Sequence, residues 1–182
     1  MLSSQQSEIY QALAEGSLDL GLVNVLPGDD VPPHLTSRDL VRGRPVVCLR
    51  TDHPLARLDA VTVDELREEA FITMRAGYLM HRFTHRLFGG TPPATSFSTD
   101  GAEMGKLMVA EGLGVTVLPD YSLAGDPLCT AGLITHRPIA EDDTPVRLLM
   151  VTRNLTTVPP ALRAMQAALL ERAREYQQNH AT

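Results

Sequence analysis

The chain has 182 residues, 43% of them hydrophobic and 21% charged, which is enough for one domain or two small lobes with a real core. Its 22 acidic residues outnumber its 16 lysines and arginines, for a formal net charge of −6. That balance opposes direct binding of nucleic acid by this chain, which needs a basic face, and adhesion to anionic membranes.

Ile9 and Leu13 stand four apart and predict a helix over 4–14, which Gly16 ends. A short buried strand over 18–23 follows at once, the pattern of the second half of a strand–helix–strand unit. Residues 27–33, rich in Pro, Gly and Asp, read as a loop, and strands follow over 35–40 and 45–49. Asp52-His53-Pro54-Leu55-Ala56 is a turn. Thr62-Val63-Asp64-Glu65 has the spacing of a capping box, opening a helix to about residue 69.

The next strand covers 70–74, and Arg75-Ala76-Gly77-Tyr78 turns into a helix that Gly89-Gly90 end near residue 88. A strand over 94–98 leads to a helix starting near Asp100, with Met104, Leu107 and Met108 as its apolar face and Gly112 as its close. Strands over 114–118, 133–139 and 146–152 come next. Thr157 before Pro159-Pro160 is the chemistry of a helix start, and Leu162, Met165, Leu169, Ala173 and Tyr176 recur at helical spacing. This longest helix is expected to fray toward Thr182. The alternation predicts an α/β fold with mostly parallel sheets.

The order of these motifs resembles the effector-binding domain of LysR-type transcription regulators. The segment Ala12-Leu13-Ala14-Glu15-Gly16-Ser17-Leu18-Asp19-Leu20-Gly21-Leu22 resembles the family's helix-Gly-x-Leu-Asp-strand signature, and Asp52-His53-Pro54-Leu55-Ala56 its common turn. Thr62 to Leu66 resembles the short helix after that turn. Val109-Ala110-Glu111-Gly112-Leu113-Gly114-Val115-Thr116-Val117-Leu118-Pro119 resembles its helix–glycine–strand segment.

The resemblance implies a two-lobed fold similar to type 2 periplasmic binding proteins, with a small-molecule effector in the cleft between the lobes. On that reading 1–49 and 129–182 form the first lobe and 50–128 the second. Such regulators usually start with a winged helix-turn-helix and a linker helix. Neither is read here, and the first lobe is read as lacking its opening strand, helix and strand. DNA is then a partner only through a domain outside this chain, and the whole regulator is expected to be a homo-oligomer. No cofactor is expected.

In such folds ligands lie at the carboxyl ends of strands and the amino ends of helices, where unpaired N–H groups suit carboxylates. Three such ends are the candidates: Gln5 and Gln6; Arg75, Ala76, Gly77 and Tyr78; and Ser98, Thr99 and Asp100. A guanidinium at Arg75 suits a carboxylate; the alternatives are a solvated side chain or one paired with Asp100 or Glu103. Tyr78 either stacks on a ligand or anchors its helix. Ser98 and Thr99 either bond a ligand or cap the helix, and capping is the expected task of Asp100.

Other chemistry reads weakly. His81 and His85 have metal-pair spacing without a third ligand, so a solvated helix face is expected. Cys48 and His53 are too poorly supported for a nucleophile and base, since no oxyanion motif accompanies them. Cys48 and Cys129 read as core thiols in a reducing compartment. Met1 to Gln6 carry no secretion-signal pattern, and no apolar run approaches a membrane span, so the expected location is cytoplasmic. The alternatives to a sensor are a transport-type solute receptor of the same fold or a small α/β enzyme.

Overall fold

The computed structural model describes residues 5–179. The predicted start at Ser4 and the predicted fraying at Thr182 lie outside these residues. The chain divides into two compact units, one holding Gly43–Thr144 and the other the described residues up to Arg42 and from Pro145 onward.

The first of these units contains a five-stranded sheet. Its strands are β3 (Pro45–Arg50), β4 (Phe71–Met74), β5 (Ser96–Thr99), β6 (Val115–Pro119) and β7 (Ile134–Pro138), in the order β5-β4-β6-β3-β7. Helices α2 (Val63–Arg67), α3 (Leu79–Leu87), α4 (Ala102–Ala110) and α5 (Pro127–Thr130) connect them. Val46, Val47, Cys48 and Leu49 of β3 are all buried, as befits a strand covered on both faces. Phe71 of β4 meets Phe88 edge-on at 5.0 Å between ring centroids, fixing the end of α3 against the sheet.

The second unit is built from α1 (Gln5–Glu15), β1 (Leu20–Val25), β2 (Leu35–Gly43, whose last residue belongs to the first unit), β8 (Val146–Arg153) and α6 (Pro160–Asn179). Its strands run in the order β1-β8-β2. Leu13, Val23, Val25, Leu35, Leu149 and Val151 form its buried core, with Ile9 and Tyr10 of α1 packed on it. Asp19, just before β1, pairs with Arg153 at the end of β8 at 2.8 Å. That pair gives the Leu-Asp-strand motif a physical reason: the carboxylate pins the strand's entry to its antiparallel neighbour.

The α/β class holds, but the sheets are mixed rather than mostly parallel. Parallel pairing joins β4 to β5 and to β6, where α3 and α4 carry the chain back between strands. β3 enters and β7 leaves the sheet without such a crossover, and both pairings of β3 are antiparallel, as is that of β1 with β8. The division of the chain at Gly43 and Thr144 differs from the expected boundaries at 50 and 128 for the same reason. β3 and β7 are hydrogen-bonded into the five-stranded sheet and belong to it.

Candidate ligand-binding site

β4 and β5 lie side by side in parallel register, with Met74 opposite Thr99. The pairing continues one residue further, where the Arg75 N–H donates to the Thr99 carbonyl at 3.0 Å. This register brings the turn Arg75-Ala76-Gly77-Tyr78 and the segment Ser98-Thr99-Asp100 to one end of the sheet. From there α3 and α4 set out, each nine residues long.

Neither helix start is closed by its own chain. Tyr78 is the cap of α3 and Gly101 that of α4, and neither offers a side-chain hydrogen bond to the first turn. Elsewhere in the same unit short helices are closed. Thr62 and Glu65 form a reciprocal capping box on α2, and the Asp126 carboxylate accepts from Leu128 and Cys129 at the start of α5. Among the described residues, the N–H groups at the starts of α3 and α4 thus lack the side-chain cap that such ends often acquire.

Arg75 stands over this end. Its Nε lies 2.8 Å from Asp100 Oδ1, and both side chains are well exposed. An exposed pair of this kind contributes about 0–1 kcal/mol to stability, so its main effect is to set the guanidinium in place. Asp100 is therefore not the helix cap expected from sequence. The cap position falls one residue later, on Gly101, whose φ of 100° and ψ of 167° suit a glycine alone. Thr99 is 6% exposed, and its hydroxyl is buried without a hydrogen-bond partner among the described residues. Ser98 and Ala76 are exposed, and Gly77 and Tyr78 are half-buried.

Gln5 and Gln6 lie in the other unit, at the start of α1. Gln5 is exposed. Gln6 donates to the Asn24 carbonyl at 2.9 Å and to Asp29 Oδ2 at 3.3 Å, which ties the helix start to the loop after β1.

Cys48 and His53 are each engaged elsewhere. Cys48 is fully buried in β3, and burial pushes its thiol up to about 12, so it is no thiolate at neutral pH. His53 is engaged locally: Nδ1 accepts from the Leu55 N–H at 3.2 Å, and Nε2 lies 3.4 Å from Glu69. The rings of His81 and His85 stack 6.3 Å apart, and among the described residues no group of three metal-binding side chains forms.

One feature of this unit escaped the sequence reading. Lys106 of α4 is 3% exposed and reaches Asp126 Oδ2 at 2.6 Å. Gly105, Lys106 and Val109 are the residues α4 buries, whereas Met104 and Leu107, expected to face the core, are about half exposed. An ε-ammonium inside an apolar stretch gives no periodic signal, and its partner is 20 residues away.

The model of the LysR substrate binding domain matches residues 1–174, and the chain belongs to that family. It is similar to the HTH-type transcriptional regulator TtuA of Agrobacterium vitis, with 29% identity over 150 residues, 76% of this chain and 49% of that protein. The chain thus spans about half the length of that relative. Among solved structures, the CcmR regulatory domain of Synechocystis PCC6803 in complex with 2-PG superposes with a TM-score of 0.72 at 21% identity, over 91% of this chain and 78% of that one. The BenM effector binding domain with its effector benzoate gives 0.68 at 17% identity, over 98% and 77%. Among the described residues no helix is long and apolar enough to cross a membrane.

Proposed function

We propose that the unit Gly43–Thr144 holds a small anionic effector at the adjoining starts of α3 and α4. The carrying observation is the pair of helix starts left without side-chain caps beside the Arg75 guanidinium. Backbone N–H groups and the helix dipoles favour negative charge there, and the guanidinium supplies a two-pronged partner for a carboxylate. Benzoate, the effector held by the BenM domain, is such a carboxylate. Tyr78, Ser98 and Thr99 border the same end and complete the contacts.

The whole regulator is then a cytoplasmic homo-oligomer whose DNA contacts come from a helix-turn-helix domain beyond this chain, as the description of TtuA as HTH-type suggests. Effector binding acts by shifting the balance between two states that hold the ligand unequally, not by turnover. The test is a thermal-shift screen of small carboxylates on the chain and on Arg75→Ala. A ligand bound only by the folded form raises the melting temperature by mass action. The reading expects a shift that Arg75→Ala abolishes; a shift of equal size in both proteins overturns it.

A further inference from the structure

The pair formed by Arg75 and Asp100 is one-sided. Arg75 gives only its Nε, to Asp100 Oδ1 at 2.8 Å. The two terminal nitrogens of Arg75 and the Oδ2 of Asp100 have no partner among the described residues. Both side chains are well exposed, so a free cationic edge and a free anionic oxygen stand next to each other at the starts of α3 and α4.

Asp100 has no other task there. It does not cap α4, whose cap is Gly101, and it pairs with no other cation among the described residues. Glu103, the acid of the first turn of α4, is committed to Lys106 at 2.8 Å. A fixed carboxylate in this place works against a ligand that is an acid and nothing more, because like charges about 4 Å apart repel even in water. It favours an acid with a donor on the carbon beside the carboxylate. Such a ligand sets its carboxylate on the two terminal nitrogens of Arg75 in a two-pronged contact, and its hydroxyl or ammonium donates to Asp100 Oδ2.

We infer that the effector is a 2-hydroxy or 2-amino acid and that Asp100 selects it. This selectivity rests on the anion site proposed above and names the ligand class for it.

The experiment titrates the ¹⁵N-labelled chain with phenylacetate, mandelate and phenylglycine, which share one body and differ at the carbon beside the carboxylate (hydrogen, hydroxyl or ammonium). The expected result is saturable movement of the Gly77, Leu79, Gly101 and Ala102 amides. Mandelate or phenylglycine should bind about tenfold more tightly than phenylacetate, as a hydrogen bond to a charged group provides. The tighter of those two identifies the donor as hydroxyl or ammonium. Asp100→Ala, a change at an exposed position, removes the preference by weakening the donor-bearing acid and strengthening phenylacetate. Asp100→Asn keeps an acceptor without the charge, so a preference for hydroxyl survives and one for ammonium falls. Arg75→Gln weakens all three acids. Phenylacetate moving those amides with an affinity equal to both other acids, or a preference unchanged in Asp100→Ala, overturns the selectivity and leaves the anion site standing. No saturable movement of those amides with any of the three overturns both.

Discussion

Lys106 and Asp126 meet at 2.6 Å with side chains only 3% and 5% exposed, which makes α4 and the start of α5 parts of one buried polar contact. The lysine also reaches Glu103 at 2.8 Å and the Ser122 carbonyl at 3.3 Å, while Asp126 accepts two backbone N–H groups of α5. Each charge is therefore satisfied on several sides. Lys106→Met leaves the Asp126 carboxylate buried without its cation and should cost about 3–5 kcal/mol, the range for a broken buried pair. Adding Asp126→Asn, which keeps an acceptor for α5, should recover part of that loss. Urea unfolding of the single and double variants measures both.

The same pair sets a pH dependence. Burial works against charge on Asp126, but the Lys106 hydrogen bond and the α5 backbone N–H groups outweigh it and hold the carboxyl below its ordinary value. A carboxylate depressed in the folded state stabilises above its unfolded pKa, near about 4, and that stability is lost as pH falls further. Burial also opposes the charge on Lys106, and its bonds to Asp126 and Glu103 hold the ammonium above its ordinary value. Its contribution persists below about pH 10.5 and fades as pH rises beyond that. Urea midpoints should drop between pH 5 and pH 3 (roughly the carboxylate window), and less steeply in Asp126→Asn.

Gly114 stands where α4 gives way to β6, at φ 151°, and a Cβ there would lie 2.2 Å from the Ala70 carbonyl oxygen. That carbonyl accepts the Val115 N–H at 2.9 Å, so backbone on both sides would have to part. Gly114→Ala should destabilise by more than the roughly 1 kcal/mol typical of single substitutions, and the shift of the melting temperature reports it.

The two thiols should behave differently. Cys48 is fully buried and its thiol stands near 12, while Cys129 is half-buried at α5 with a thiol pushed up by burial and by the neighbouring Asp126 carboxylate. In the native protein a disulfide reagent at pH 8 should modify Cys129 slowly and Cys48 not at all; in urea both should react at once. Rapid native labelling of Cys48 would contradict its placement.

Local chemistry made much of this fold legible. The capping box of Thr62 and Glu65 acts across three residues, and sequence spacing alone reveals it. The turns carrying Arg75 and Asp100 were found as strand ends leading into helices. Their pairing was left open, because it depends on β4 and β5 lying in parallel register. What could not be read depends on partners distant in sequence. Lys106 finds its partner Asp126 20 residues away, and hydrophobicity, which points Met104 and Leu107 inward, says nothing about which side a buried ion pair will claim. β1 was placed two residues early, since Leu18 is apolar yet 39% exposed.

The central claim is that the uncapped starts of α3 and α4 bind an anion. Its most direct test is to titrate the ¹⁵N-labelled chain with benzoate and follow backbone amide shifts in wild type and Arg75→Gln. The account predicts saturable shifts concentrated at Gly77, Leu79, Gly101 and Ala102, lost or strongly weakened in Arg75→Gln. Absence of any saturable movement of those four amides with benzoate, or movement equally strong in Arg75→Gln, would contradict it.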